Sequence, residues 1–148
     1  MKLKKVLTVL FTTMMLLTFS SSASAATGIG DTKESAITIV DGTNYNLFLS
    51  DSLDKDWFKW TNNTGEFKFV AAYLVSGSQV AHYRLGMKIE YSPTRTSDLV
   101  YAQSTGPGSF QAIDNILIPP GASVYYVVDS VAYSLMQYTF SFRLSNYQ

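Results

Sequence analysis

The sequence predicts an all-β domain, a sandwich or barrel of about eight to ten short strands. Apolar or alternating segments recur along the chain, separated by Gly, Pro, Asn, Asp and Ser clusters, at roughly the 8–12-residue spacing of such folds. No segment sustains the 3.6-residue apolar period of an amphipathic helix. The chain also lacks internal repeats and low-complexity tracts.

Each element follows from local chemistry. Gly28 to Glu34 is a polar entry segment. Ala36 to Val40 is short and β-branched, and Asp41-Gly42-Thr43 after it carries an Asp-Gly hairpin signal. Tyr45, Leu47 and Leu49 alternate onto one face of a strand that ends at a turn over Asp51 to Lys55. Asp56 to Thr61 is a strand whose Phe58 and Trp60 share one face and whose Trp57 and Lys59 share the other. Asn62 to Gly65 turns it back. Phe67 to Val75 is apolar on both faces and reads as a central strand covered on both sides, ended by Ser76-Gly77-Ser78. Arg84 to Tyr91 alternates, with Leu85, Met87, Ile89 and Tyr91 pointing inward. Polar loops at Ser92 to Ser97 and Ser104 to Ser109 bracket a short strand at Leu99 to Gln103. Two short strands flank a turn at Asp114-Asn115, Pro119-Pro120-Gly121 forces a corner, Val124 to Val128 is buried, and Tyr138, Phe140, Phe142 and Leu144 alternate in the last strand.

The N-terminus reads as an export signal over residues 1–25. Met1 to Lys5 is basic, Val6 to Phe19 is apolar, and Ala23-Ser24-Ala25 is a small-x-small cleavage site. The apolar run is shorter than the ~20 residues that span a bilayer. The expected product, 26–148, is one domain, secreted and extracellular, with no membrane insertion after signal removal. Losing Lys2, Lys4 and Lys5 turns a chain of 11 basic and 11 acidic residues into one with three excess acids. The remaining positive charges are scattered, which argues against a nucleic-acid partner. The chain has no cysteine, which excludes disulfides and lipidation on cysteine.

The catalytic inventory is thin. His82 is the only histidine, no Gly-x-Ser-x-Gly elbow exists, and nearby Ser78 has no supporting motif. One histidine without cysteine disfavours zinc. Glu66 and Glu90 read as solvated strand charges rather than a carboxylate pair across a cleft. Calcium is the better metal candidate, because it takes oxygen ligands. Asp51, Asp54 and Asp56 lie within six residues, and Asp31 with Glu34 would approach them if the entry segment packs there. The competing explanation is that Asp favours turns for its local hydrogen bonds. Trp57 is expected in the core or beneath a loop, as aromatic residues commonly are. An exposed platform for sugar or protein is its functional alternative.

Several of these segments, in this order, resemble the bacterial pre-peptidase C-terminal domain. They are Gly30-Asp31-Thr32-Lys33-Glu34-Ser35-Ala36, Asp54 and Asp56-Trp57-Phe58-Lys59-Trp60, Ile118-Pro119-Pro120-Gly121 leading to Tyr125-Tyr126-Val127-Val128, and Tyr138-Thr139-Phe140-Ser141-Phe142. The family pattern is an Asn-Asp-rich entry ending in Ala, an Asp-x-Asp-Trp-Tyr-x-Phe strand, a late Gly-x-Tyr-Tyr strand and a final Tyr-x-Leu strand. Gly30 stands where Asn is common, and Phe58 where Tyr is frequent. The resemblance implies a single jelly-roll-like antiparallel β-sandwich, found with secreted peptidases. It also implies calcium near the entry segment in some relatives, and collagen or polysaccharide binding in some. Asp31, Glu34, Asp54 and Asp56 fall on the matching positions.

The expectation is therefore a stand-alone, secreted, non-catalytic binding or structural module. It would engage an extracellular polymer (polysaccharide or cell wall) or a protein. No cofactor is required, and calcium is the candidate metal. A small secreted hydrolase or an enzyme inhibitor is the alternative, and a self-associating matrix or coat component is a third reading.

Overall fold

The structure, a computed structural model, describes residues 28–146, so the expected signal segment lies outside it. Ten strands follow in chain order: β1 (Ile37–Thr38), β2 (Asn44–Leu47), β3 (Asp56–Thr61), β4 (Lys68–Ser76), β5 (His82–Ser92), β6 (Arg95–Thr96), β7 (Val100–Tyr101), β8 (Gln111–Ile118), β9 (Ser123–Ala132) and β10 (Tyr138–Asn146). The first sheet runs β1-β3-β9-β5, with β6 and β7 both pairing β5, and the second runs β2-β10-β4-β8. All pairings are antiparallel except the short β1–β3 contact. No helix among the described residues is long and apolar enough to cross a membrane.

The chain changes sheets at every connection from β1 to β5 and again from β7 to β10. That alternation is the jelly-roll connectivity, and it closes the two sheets over one core. It also corrects the hairpin expected at Asp41-Gly42. There the chain leaves the first sheet for the second, and the turn docks on β10, with Gly42 N–H donating to Phe142 O and Leu144 N–H donating to Asp41 Oδ1. An Asp-Gly pair makes a reversal easy, but it does not choose the strand that receives the returning chain.

The core forms because inward side chains from both sheets are large and apolar. Ile39, Leu49, Phe58, Leu74, Leu85, Val124 and Tyr126 are fully enclosed. Three contacts run in register between β3 and β10 across the gap. Phe58 stacks on Phe140 with centroids 4.1 Å apart and ring planes 12° apart. Trp60 meets Phe142 at 5.7 Å, and Tyr138 hydrogen-bonds Asp56. Burying each ring stabilises the fold by roughly 1.5–3 kcal/mol.

Two buried amides complete the join. Asn62 donates to Glu66 O at 2.8 Å and Ile118 O at 2.9 Å. Gln111 accepts from Leu85 N–H at 2.9 Å and donates to Tyr83 O at 2.6 Å. Gln111 thus ties β8 of one sheet to β5 of the other.

Three further expectations are revised. Asp114-Asn115 is not a turn between strands but a bulge inside β8, where two residues face one on β4 and Asn115 takes φ of 56°. Tyr91 lies past the edge of the core and is 39% exposed. The set Phe67, Phe69, Ala71, Tyr73 and Val75 faces away from the core, which β4 meets instead through Val70, Ala72 and Leu74. Phe67 and Val75 are exposed, so among the described residues the outward face of β4 is not fully covered. With both alternating sets apolar, the period-two pattern could not say which one faced inward.

Two substitutions test this packing by urea denaturation. Phe58→Ala is expected to lose about 3–5 kcal/mol, because it removes the ring that bridges the sheets. Tyr126→Phe is expected to gain about 1 kcal/mol, because the buried Tyr126 hydroxyl has no hydrogen-bond partner among the described residues.

Candidate functional site

At one end of the sandwich the structure gathers carboxylates from two separate stretches. Asp31 comes from the entry segment, which is tied along β3 by Trp57 N–H donating to Gly30 O at 2.7 Å. Gly30 has φ of 93°, and a Cβ there would lie 3.0 Å from Trp57 O, so glycine is what lets the entry segment approach. Asp54 comes from the turn before β3, and Asp56 is the first residue of β3. Each residue offers a carboxylate oxygen, and these lie within 4.8 Å of one another.

Among the described residues, one donor holds each carboxylate. Gly28 N–H donates to Asp31 Oδ2 at 2.6 Å, Ser50 N–H to Asp54 Oδ2 at 2.6 Å, and the Tyr138 hydroxyl to Asp56 Oδ2. Asp31 Oδ1 is buried and has no hydrogen-bond partner among the described residues.

The electrostatics follow from this crowding. Burial pushes the Asp56 carboxyl up to about 6. The Tyr138 hydrogen bond opposes the shift, and the nearby Asp54 and Asp31 charges add to it. Burial, then the Asp56 charge, pushes the Tyr138 phenol up. Three oxygen ligands of like charge, one with an unsatisfied buried oxygen, fit a hard divalent cation such as calcium. Backbone carbonyls and water commonly complete such a shell.

Not every predicted residue joins the group. Glu34 is exposed and outside it, and its charge acts on neighbouring Lys33. Asp51 accepts from Leu53 N–H at 2.7 Å and Asp54 N–H at 3.0 Å, the local turn role expected of Asp. Trp57 points away from the core. It is half-buried beside the entry segment and paired across the sheet with Val127.

Around Trp57 the outward face of the first sheet is charged and self-paired. Lys33 bonds Glu90 and lies 4.5 Å over the Tyr125 ring. Arg84 grips Asp129 through two bonds of 2.8 Å and stacks on Tyr101, whose hydroxyl also donates to Asp129.

The catalytic candidates are separated. His82 Nε2 lies 2.8 Å from Ser104 Oγ, which in turn lies 3.0 Å from Ser109 Oγ. Ser78 instead accepts from Val80 and Ala81 N–H groups. No carboxylate among the described residues is hydrogen-bonded to His82. Glu66 pairs with Lys68 and Glu90 with Lys33. Sequence reasoning missed Ser104 and Tyr138 because their partners lie 22 and 82 residues away.

Ten strands in alternating sheets, closed over one core, define a jelly-roll β-sandwich. Among solved structures the chain is similar to the pre-peptidase C-terminal domain of collagenase from Bacillus anthracis. The TM-score is 0.55 and the sequence identity 16%, over 73% of this chain and 94% of that one. At that identity the likeness shows the fold alone. No protein-family model and no curated protein matches the chain.

The raised Asp56 value carries a pH dependence of defined sign. The folded state holds this proton up to about pH 6, whereas an ordinary aspartate releases it near 3.8. Protonation therefore favours the fold. In chelator, the contribution is fully present below about pH 4 and is lost as pH rises to about 6. It amounts to at most about 3 kcal/mol. Asp56→Asn is expected to flatten that part of the profile, measured as urea midpoint against pH.

Proposed function

We propose that this chain is a non-catalytic module of an exported protein that engages an extracellular polymer, polysaccharide or protein. Calcium held by Asp31, Asp54 and Asp56 stiffens one end of it. The observation that carries the reading is the fold shared with a domain of a collagenase, an appended domain rather than the peptidase itself. His82 is hydrogen-bonded to Ser104 and to no carboxylate among the described residues, which supports a binding role over hydrolysis. Export with cleavage after Ala25 belongs to the same proposal, as does the extracellular location.

The cation has a structural part in this reading. Three clustered carboxylates repel one another, and neutralising them favours the conformation in which the entry segment lies along β3. Glu34 is left out of the ligand set.

Two measurements test the proposal. The exported protein is expected to be retained on at least one of isolated cell wall, insoluble polysaccharide and collagen fibrils; retention on none overturns the binding role. Calcium is expected to raise the melting temperature at pH 7.5 by several degrees over chelator, since it binds only the folded state. Asp54→Asn should abolish that rise, and equal melting of the native protein with and without calcium would remove the cation.

A further inference from the structure

We infer that the polymer-binding surface is the outward face of the second sheet, and that it takes a neutral polysaccharide. The inference rests on the binding-module reading above and assigns it a place and a ligand class.

The face divides into two strips. Along β4 and β8 it is apolar: Phe67 is 51% exposed, Val75 44%, Phe110 61% and Leu117 38%, with Tyr73 between them. Phe110 and Tyr73 lie nearly parallel, 22° apart with centroids at 5.8 Å, so together they present a broad ring surface. From Phe67 to Val75 the strip runs about 26 Å at strand rise. Exposed apolar side chains gathered on one face mark an interaction site, unlike single ones scattered over a surface.

The neighbouring strip, along β10 and β2, is polar and carries one charge, Arg143, which donates to Asn44 Oδ1 at 3.2 Å. Thr139 donates to Asn46 Oδ1 at 2.7 Å and Ser141 to Asn44 Oδ1 at 2.8 Å. Each amide oxygen is thereby engaged, which leaves the Asn44 and Asn46 NH2 groups at the surface as donors. The two strips are adjacent because Tyr73 pairs with Ser141 and Val75 with Thr139 across β4 and β10.

This pairing of chemistries selects the ligand. A pyranose ring has an apolar C–H face that stacks on aromatic rings and an equatorial rim of hydroxyls that needs donors and acceptors. Charge decides among the polymers. Among the described residues, Arg143 on β10 and Asp114 in the β8 bulge bring one charge of each sign to this sheet, and Asp41 lies at its β10 edge. Lys33, Lys59 and Lys88, which would attract an acidic polymer, surround Glu90 on the opposite sheet. A neutral glycan matches the second sheet, and an acidic one would be drawn to the first.

The test is retention of the full exported protein on microcrystalline cellulose, chitin and insoluble β-1,3-glucan. Polygalacturonate and collagen fibrils serve as comparisons. Retention is expected on at least one neutral glycan and should be insensitive to raising salt to about 0.5 M. Phe110→Ala should weaken it about three- to tenfold, and Tyr73→Ala similarly. Trp57→Ala, on the other sheet, should leave it unchanged. Phe110 is exposed enough that its variant keeps the fold, which an unchanged melting temperature checks.

Retention on collagen alone would keep the binding-module reading and overturn this one, as would retention on polygalacturonate alone. Loss in Trp57→Ala with none in Phe110→Ala would overturn the location. A concentration-dependent dimer that Phe110→Ala abolishes, without glycan retention, would assign the face to a second copy of the chain and overturn the glycan.

Discussion

The Phe58–Phe140 stack is the contact on which the rest of the arrangement depends. It joins one sheet to the other at the centre of the core, with centroids 4.1 Å apart. Once those two rings meet, strand geometry sets what lies on either side. Two residues along, Trp60 meets Phe142; two residues back, Asp56 meets Tyr138. Side chains alternate with period two, so a carboxylate two positions before a core phenylalanine must point inward as well. The burial of Asp56 is thus a consequence of packing Phe58, not a separate feature of the turn.

That burial explains why one end of the sandwich is electrostatically tense. A carboxylate taken from water needs either a proton, a donor or a cation. Asp56 has the Tyr138 hydroxyl as donor, yet Asp31 and Asp54 stand close enough to oppose its ionisation. Asp31 arrives because Gly30 lets the entry segment lie against β3, at a φ that most residues avoid. The cluster therefore couples the start of the domain to its core through a single strand.

The two outward faces are unlike in chemistry, and the difference has a cause in sequence. On β3, β9 and β5 the outward positions include Trp57, Lys59, Tyr125, Asp129, Arg84, Lys88 and Glu90; Arg84 pairs with Asp129, Lys59 lies over Tyr125, and Lys33 of the entry segment pairs with Glu90. On β4 they are Phe69, Ala71, Tyr73 and Val75. Outward polarity on a solvated sheet is the usual pattern. Its reversal on β4 is why the sequence suggested a strand covered on both sides, and why the exposed second sheet is the distinctive surface of the molecule.

Much of this was legible in the sequence. The fold class, the span of β3, the inward set Phe58 and Trp60, the corner at Pro119-Pro120-Gly121 and the Asp-rich turn all follow from alternation and turn chemistry, which act over a few residues. The tertiary structure decided what depends on distant partners. It chose the sheet for each strand, making Asp41-Gly42 a crossover and Asp114-Asn115 a bulge. It brought Asp31 to Asp54 and Asp56 while leaving Glu34 in solvent, although both acids sit in the same entry segment. It turned Trp57 outward and paired His82 with Ser104. The period of a strand fixes which residues share a face, but only packing against residues tens of positions away determines what that face meets.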